Sequence, residues 1–361
     1  MIVSEKNCIQ IINKLVTCHD ATKDELVFLL EHREQIDDNL LSFLFASAQK
    51  TASLYYGKKI YLRGLIEISS FCKNDCYYCG LRRSNKSALR YRLSEDEILA
   101  CVTQGSKIGL HTFVLQGGED DYWNADNLVP IIKKIKKITP TSAVTLSLGE
   151  MSSESYRLLF EAGADRYLLR HEAISEELYT KLHPAEMKLQ TRLTALNNLK
   201  EIGYQTGSGF MVGRPFETVE NVADDLIFLK NFAPQMVGIG PFIPQTDTPF
   251  GDKICGTSDN TIFLLAIIRL LLPSVLLPAT TALATIDESG YEKAILAGAN
   301  VIMPNLTPHD ARCAYRIYDG KANACDTVSQ ISEIKERLAK IGYAISLDRG
   351  DAKRIGDIKN G

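Results

Sequence analysis

Residues 112–150, TFVLQGGEDDYWNADNLVPIIKKIKKITPTSAVTLSLGE, contain one complete strand–helix–strand unit. Strand-type residues at 112–116 and 143–148 flank a stretch at 128–137 in which apolar residues recur at helical spacing. A strand, a helix and a second strand in this order are typical of two parallel strands joined by a crossover helix.

The same unit repeats along the chain. Eight segments have strand character, at residues 60–69, 112–116, 143–148, 166–172, 206–212, 236–240, 275–281 and 300–304. Helical spacing of apolar residues occurs between them, at 95–108, 128–137, 154–162, 189–202 and 219–231. Eight strands that alternate with helices predict an α/β fold in which parallel strands close into a (β/α)8 TIM-type barrel.

The 361-residue chain divides into three predicted parts. Residues 1–58 have helical apolar spacing and are expected to form an N-terminal helical extension. Residues 59–345 form the predicted barrel, and residues 346–361 form a charged C-terminal tail that we expect to be loosely held.

Composition argues against several classes of protein. Lys plus Arg (41) nearly balance Asp plus Glu (44), and the sequence shows no basic face, so we expect no nucleic-acid partner. The longest apolar run, residues 261–277, contains Arg269 and Pro273 and is shorter than the roughly 20 residues of a membrane-spanning helix. The first residues carry charges where a signal peptide needs an apolar stretch, so we expect a cytoplasmic protein with no membrane partner.

Several predicted strands carry a polar row on one face. Arg63 and Glu67 alternate with apolar residues on the first strand, and Arg170 and Glu172 do so on the fourth. The apolar row is expected to face the helices, which turns the polar row into the barrel. Buried charges are costly unless they are paired, so this row predicts a large, polar ligand cavity. The alternative is that these charges pair with one another for structural reasons.

Three of the nine cysteines, Cys72, Cys76 and Cys79, lie after the first strand in the pattern C-x3-C-x2-C. In a cytoplasmic protein this indicates a metal site with spare thiols rather than a disulfide framework. Three thiolates can bind three irons of a 4Fe-4S cluster and leave the fourth iron open. A structural zinc site is the alternative, but it needs four ligands, and no further cysteine or histidine pair follows at zinc spacing.

This cysteine motif, on the first loop of a strand–helix repeat, resembles that of the radical S-adenosylmethionine (SAM) superfamily. The resemblance implies that the open iron binds SAM and that an electron from the cluster cleaves SAM to methionine and a 5′-deoxyadenosyl radical. Residues 116–119 (QGGE) resemble the motif that binds the SAM amino group, and residues 237–241 (VGIGP) resemble a segment that contacts adenine. Glycine in both segments permits close approach of the backbone to a ligand.

Within the superfamily, motifs on nearly every predicted strand resemble the HydE-type maturases of FeFe-hydrogenase. They include residues 143–150 (AVTLSLGE), 167–172 (YLLRHE), 207–213 (GSGFMVG) and 278–282 (PATTA). The likeness implies an enzyme of diiron-subcluster assembly, in which the adenosyl radical attacks an organometallic substrate, a cysteine-ligated Fe(CO)2CN precursor, in the barrel lumen. It also implies two kinds of partner, a reductant protein such as ferredoxin or flavodoxin and other hydrogenase maturases.

The resemblance assigns roles to individual residues. Cys72, Cys76 and Cys79 are expected to bind the cluster. Residues expected at SAM are Tyr78, Gly117, Gly118, Glu119, Ser147, Glu172, Arg192 and Ile239, with Glu172 at the ribose and Arg192 at the methionyl carboxylate. Residues expected at the substrate are Arg63, Gln116, Thr145, Arg170, Thr280, Thr281, Met303 and Tyr315. Arginines there suit an anionic group, and core packing is the alternative for Met303 and Tyr315.

The chain departs from some HydE-type relatives near its C-terminus. Residues 321–336 contain only Cys325 where those relatives carry a second cluster, so a single 4Fe-4S cluster is expected. Two other functions stay open. A methylornithine synthase-like mutase of pyrrolysine biosynthesis is expected to have more acidic lumen groups. A non-catalytic iron-sulfur carrier leaves the QGGE motif, Glu172 and Arg192 unexplained.

Overall fold

A ring of parallel strands forms the centre of the structure, a computed structural model that describes residues 3–321 and 327–353. The strands are β1 (Lys59–Leu62), β2 (Gly64–Ser69), β3 (Thr112–Gly117), β4 (Ala143–Ser147), β5 (Arg166–Leu168), β6 (Gln205–Ser208), β7 (Met211–Val212), β8 (Met236–Val237), β9 (Gly240–Pro241), β10 (Val301–Ile302) and β11 (Ala344–Ser346). Six of them follow one another in the order β2-β3-β4-β5-β6-β8, each parallel to the next.

The ring closes, which confirms the predicted barrel. β1 and β2 are one barrel strand interrupted at Arg63, and β10 pairs with β1. The remaining gaps are closed by isolated bridges, Met236–Leu276, Pro278–Val301 and Leu65–Asn305. The predicted strand at 275–281 is wrong as a continuous strand, since it forms only such bridges. Proline has no N–H to donate to a ladder, and Thr280 already caps the next helix.

Helices surround the strands. The N-terminal helices are α1 (Val3–Cys18), α2 (Lys23–Glu31) and α3 (Asp38–Tyr56). The barrel helices are α4 (Glu95–Lys107), α5 (Ala125–Ile138), α6 (Ser153–Glu161), α7 (Glu176–Leu182), α8 (Leu189–Ile202), α9 (Val219–Phe232), α10 (Ser258–Leu271), α11 (Thr281–Ile286), α12 (Gly290–Leu296), α13 (His309–Ala314) and α14 (Thr327–Lys340). The five helices predicted from periodicity are α4, α5, α6, α8 and α9, so those predictions are confirmed.

The hydrophobic core lies between the strands and the helices. Ile66 on β2 and Leu146 on β4 are fully buried there, which confirms that the apolar rows face outward to the helices. Leu15 of α1 and Leu44 of α3 belong to the same core, so the N-terminal helices pack on the barrel. None of the helices in 3–321 and 327–353 is long and apolar enough to cross a membrane.

The C-terminal residues close the end of the barrel where the strands begin. β11, which was not predicted, pairs with β1. The fully buried Arg166 then donates to the carbonyl oxygen of Arg349 (2.8 Å) and to the Asp351 carboxylate (2.7 Å), and Arg63 donates to the carbonyl of Gly350 (3.4 Å). The expectation of a loosely held tail is therefore wrong for residues 346–353. The cause is that buried arginines need acceptors, which this segment supplies.

Candidate active site at the carboxyl ends of the strands

A cavity of about 590 Å³ opens where the barrel strands end. Such a volume suits a cofactor with a small substrate. It confirms the prediction of a large cavity inside the barrel. The cavity brings together most of the residues predicted at the site: Cys72, Cys76, Tyr78, Cys79, Gln116, Gly117, Gly118, Glu119, Ser147, Arg170, Glu172, Arg192, Thr280, Thr281, Met303 and Tyr315.

Three predicted site residues lie outside the cavity lining. Arg63 is buried nearer the strand starts, where it also donates to the sulfur of Met236 (3.2 Å). Thr145 is buried with a hydroxyl that has no partner among the described residues. The side chain of Ile239 packs in the hydrophobic core, although its neighbours Gly238 and Gly240 line the cavity. Only the backbone around Ile239 is therefore placed to contact a ligand.

Residues 70–85, which contain Cys72, Cys76 and Cys79 and are called the cysteine loop below, are held in shape by hydrogen bonds within the protein. The guanidinium of Arg90 donates to four carbonyl oxygens of this loop, those of Ser70, Leu81, Arg82 and Asn85, at 2.5–3.2 Å. Asp75, between the first two cysteines, accepts from Arg82 Nε (2.8 Å), and this hydrogen bond lowers the pKa of Asp75 below its usual range. Sequence reasoning missed both residues, because neither contacts the predicted ligands.

The three thiols themselves are partly buried on the cavity wall. Burial raises the pKa of all three, that of Cys79 to about 12, and the charge of the neighbouring Cys72 contributes. Iron binding would therefore have to displace protons from thiols. Within the described ranges no three Cys, His, Asp or Glu side chains converge tightly enough for a single metal ion. Each cysteine of an iron-sulfur cluster binds a different iron, so the donor set fits a cluster better than one zinc ion.

Gly118 brings the end of β3 against the cysteine loop. A Cβ on this residue would lie 2.1 Å from the carbonyl oxygen of Phe71 and 2.8 Å from Cβ of Cys72. Its N–H donates to the carbonyl of Ser69 (3.1 Å). The next residue, Glu119, accepts from Asn74 Nδ2 at 3.0 Å. The QGGE segment and the cysteine loop thus form one rigid wall of the cavity.

Arg192 and Arg170 place two cations on the opposite wall. Arg192 donates to Glu150 Oε1 (2.5 Å) and to the carbonyl oxygen of Arg170 (2.9 Å). Burial lowers the pKa of Arg192, but Glu150 and other acidic neighbours outweigh that effect and raise it. The guanidinium of Arg170 makes no ion pair with any residue that the structure describes. An unpaired cation facing a cavity is suited to an anionic ligand.

Glu172 has an unusual backbone and an unsatisfied carboxylate. Its φ of 62° lies in the left-handed region, which bulky side chains avoid. Its Oε2 is buried and accepts no hydrogen bond in the described part of the chain. A buried carboxylate oxygen on a cavity wall needs a donor, and the hydroxyls of a ribose would supply one. The unsatisfied oxygen of Glu172 therefore fits a SAM ribose, and the three thiols on the same cavity fit a cluster.

A buried ion pair forms the far wall, and sequence reasoning missed it. Lys321 donates to Glu67 Oε1 (2.5 Å) and to the carbonyl of Tyr315 (2.9 Å). Asn305 donates to the other carboxylate oxygen of Glu67 (3.1 Å), and Gln116 donates to the Tyr315 hydroxyl (3.4 Å). Glu67 had been noted only as part of a polar row. Lys321 is the last described residue before 322–326, and Cys325, the residue on which the expectation of a single cluster rests, lies outside the described residues.

Comparisons with known proteins identify the class. The family model of the radical SAM superfamily matches residues 66–229, the part of the chain that includes the cysteine loop and the QGGE segment. The chain is 44% identical over 313 residues to the [FeFe] hydrogenase maturase subunit HydE of Thermotoga maritima, covering 86% of this chain and 89% of that protein. The chain therefore belongs to the radical SAM superfamily, and its resemblance to the HydE maturases is confirmed.

The chain is also similar to methylornithine synthase in sequence and fold, and to a second maturase in fold. The chain is 29% identical to 3-methylornithine synthase of Methanosarcina acetivorans over 83% of each protein. The crystal structure of methylornithine synthase superposes with a TM-score of 0.79 and 25% identity over 93% of this chain and 97% of that one. The crystal structure of the maturase HydG gives the same TM-score at 23% identity, over 95% of this chain and 77% of that one. The last match supports the fold alone.

Proposed function

We propose that this protein is a radical SAM enzyme that acts in assembly of the diiron subcluster of FeFe-hydrogenase. The observation that carries the proposal is the 44% identity to a HydE maturase subunit along 86% of the chain. The cavity supports it, because the cysteines, the QGGE segment and the two arginines surround one volume. The proposed cofactors are SAM and a single 4Fe-4S cluster.

Cys72, Cys76 and Cys79 would hold three irons of the cluster, and SAM would bind at the fourth. Backbone carbonyls at Gly117 and Gly118 would accept from its amino group. Arg192, with Ser147 beside it, would bind the methionyl carboxylate, since a guanidinium has more N–H donors than its contacts to Glu150 and Arg170 use.

Three further contacts would fix the remainder of SAM. Tyr78 and the backbone at Ile239 would contact adenine, and the free carboxylate oxygen of Glu172 would accept from the ribose hydroxyls. When bound, the cluster supplies an electron that cleaves SAM and releases a 5′-deoxyadenosyl radical. The protein's part is to orient that carbon and to exclude water and other C–H bonds from the lumen.

The substrate would occupy the part of the cavity beyond SAM. We propose a cysteine-ligated Fe(CO)2CN complex, for which Arg170 offers a cation that has no counter-ion among the described residues. Gln116, Thr280, Thr281, Met303 and Tyr315 would line this region. Arg63 and Thr145 are buried outside the cavity lining. They would support the packing of the barrel interior rather than contact the substrate.

The methylornithine synthase-like alternative is favoured by one observation. Glu67 places a carboxylate on the cavity wall, as an ammonium-bearing substrate such as lysine would require. The buried Lys321 already neutralises that carboxylate, whereas Arg170 makes no ion pair within 3–321 and 327–353. The cavity therefore suits an anionic substrate better.

The test is anaerobic reconstitution of the protein with iron and sulfide, reduction, and addition of SAM with the Fe(CO)2CN–cysteine complex, with lysine, or alone. We expect 5′-deoxyadenosine, or an adenosylated adduct, only with the iron complex. Turnover of lysine to methylornithine would instead establish the mutase. A reduced, intact cluster that never cleaves SAM would leave the carrier function. We also propose that the protein is cytoplasmic and that it works with other maturases and with a ferredoxin or flavodoxin as reductant. Reconstitution with each electron donor tests the last of these.

A further inference from the structure

The left-handed backbone of Glu172 is held by a buried network of charges behind the cavity wall. Arg214, which follows β7, donates through Nη1 to the carbonyl oxygen of Glu172. The N–H of Glu172 donates to the carbonyl of Gly209 at 3.1 Å. Both peptide groups of the strained residue are therefore fixed, while its carboxylate oxygen Oε2 has no hydrogen-bond partner in the part of the chain that the structure describes.

Arg214 is itself fixed by two carboxylates. Its Nη2 donates to Asp225 Oδ2 (2.7 Å) on α9, and its Nε donates to Glu217 Oε2 (2.7 Å). The side chains of Arg214 and Asp225 are both fully buried or nearly so. Breaking such a pair leaves an uncompensated buried charge, so the guanidinium has no low-energy alternative position.

The other side of Asp225 is also satisfied. Its Oδ1 accepts from Nε2 of His171 (3.2 Å) and from the N–H of Ile174 (2.8 Å), and the other ring nitrogen of His171 lies 3.0 Å from the Ser208 hydroxyl. His171 and Ile174 flank Glu172 in the sequence. Asp225 on α9 is thus hydrogen-bonded to residues on both sides of Glu172 in the sequence.

Backbone strain persists only where the surroundings over-determine it, and it is concentrated at functional positions. We infer that Arg214, held by Asp225, is a positioning residue that fixes Glu172 in its left-handed conformation so that the carboxylate meets the hydroxyls of the SAM ribose. The inference rests on the proposed ribose contact of Glu172. Arg214 acts through Glu172 and does not touch the ligand.

The experiment measures the dissociation constant of SAM, and of a SAM analogue that lacks both ribose hydroxyls, by anaerobic equilibrium dialysis with the cluster-loaded protein. The variants are Arg214→Met, Arg214→Lys, Asp225→Asn, Glu172→Gln and Glu172→Ala. The matched control is Arg166→Met, an equally buried arginine that pairs with Asp351 at the opposite end of the barrel. Thermal unfolding of each variant is followed in parallel.

Arg214→Met is expected to weaken SAM binding about tenfold, the effect of one lost hydrogen bond to a charged group, and to change binding of the dihydroxy-deficient analogue less than about twofold. Arg214→Lys should recover part of the loss, and Arg214→Met combined with Glu172→Gln should bind SAM no more weakly than Glu172→Gln alone. Arg166→Met should lower the unfolding temperature without changing either constant. Should Arg214→Met fail to fold, the nearly isosteric Asp225→Asn carries the same expectation.

Equal weakening for SAM and the analogue would overturn the inference, because it would show a general loss of structure. Unchanged SAM binding in folded Arg214→Met and Asp225→Asn would overturn it as well. Unchanged SAM binding in Glu172→Gln, and in Glu172→Ala, which has no side-chain acceptor, would remove the ribose contact itself, and with it this part of the proposed function. The results for the two Glu172 variants therefore separate failure of the site assignment from failure of the positioning role.

Discussion

The hydroxyl of Tyr78 lies 3.0 Å from Nε2 of His183, and the contact of the other ring nitrogen decides which of these two atoms is the donor. Nδ1 of His183 lies 2.9 Å from the carbonyl oxygen of Tyr179, which can only accept, so Nδ1 carries the proton. Nε2 is then the acceptor and Tyr78 is the donor. Burial lowers the pKa of His183 to about 3, so the imidazole that orients the Tyr78 ring is neutral.

The first prediction concerns stability against acid. The pKa of His183 is lower in the folded chain (about 3) than its ordinary value of 6.5, so the unfolded chain binds the extra proton first as pH falls. The stabilisation is complete above pH 6.5 and is lost by about 1.4 kcal/mol per pH unit between pH 6.5 and 3. Unfolding in urea should show that the free energy of unfolding is about 2 kcal/mol lower at pH 5 than at pH 7. This difference should be smaller in His183→Gln. Substitution of the exposed His309 by Gln is the control, and an equal loss in the His183 variant would contradict this account.

The second prediction compares the two glycines of the QGGE segment. Gly118→Ala places a methyl group 2.1 Å from a backbone oxygen of the cysteine loop, whereas the tightest contact of a Gly117→Ala methyl group is 3.3 Å. Gly118→Ala should therefore displace the loop, lower iron incorporation and weaken SAM binding at least tenfold, as roughly 1.4 kcal/mol of strain would. Gly117→Ala should retain most of both properties. Iron content and SAM dialysis measure the difference, and the reverse ranking would refute it.

The third prediction concerns the ligands of the cluster. Cys76→Ala should abolish the broad visible absorption and the reduced paramagnetic signal of a 4Fe-4S cluster, while the far-ultraviolet circular dichroism stays that of the folded chain. Cys101→Ala, at another cysteine buried on α4, should keep the full iron content. An unfolded Cys76→Ala protein would indicate that the metal is structural.

The fourth prediction separates the substrate from SAM. Arg170→Ala removes the unpaired cation but keeps the backbone carbonyl that accepts from Arg192. The dissociation constant of SAM should stay within about twofold, and the iron complex should bind at least tenfold more weakly, the size of a lost charge-assisted hydrogen bond. Equal losses for both ligands would place Arg170 at SAM.

The fifth prediction concerns the end of the barrel where the strands begin. Asp351→Asn leaves the fully buried Arg166 with a neutral partner; because Asp351 itself is half-exposed and water screens the pair, the free energy of unfolding should fall by about 1 kcal/mol. The pKa of Asp351 is about 2, because hydrogen bonds from Gln205 and Arg166 outweigh its burial. The native protein should therefore lose this stabilisation only as pH falls below about 4, and the variant should lack that part of the acid transition. Chemical unfolding across this pH range provides the measurement.

Periodicity was sufficient for the barrel, and the family resemblance supplied most of the residues that line the cavity. The alternation of eight strands with helices predicted the closed barrel, and the cysteine and QGGE motifs, which the resemblance assigned to one site, lie on one wall of the cavity. Contacts between distant segments were not predictable in the same way. β11 is three residues long, and Lys321 reaches Glu67 across 254 positions of sequence. Neither leaves a local pattern.

Depth inside the barrel was the other limit. Alternation along a strand separates the inward face from the outward face but does not say how far along the axis a side chain lies. Arg63 and Arg170 both belong to inward rows, yet Arg170 faces the cavity and Arg63 donates to the C-terminal segment. The acceptor for Arg63 is a backbone carbonyl, which no side-chain motif marks.

The four carbonyl contacts of Arg90 bear on how the protein survives loss of its metal. A loop whose shape depends on the bound ion unfolds when the ion leaves, as in small zinc domains. Here the guanidinium of Arg90 donates to carbonyl oxygens on both sides of the three cysteines, so contacts within the protein define the two ends of the loop. Oxygen damage that strips the cluster would therefore leave a preformed receptor, and the same polypeptide could be recharged with iron and sulfide rather than degraded and made anew.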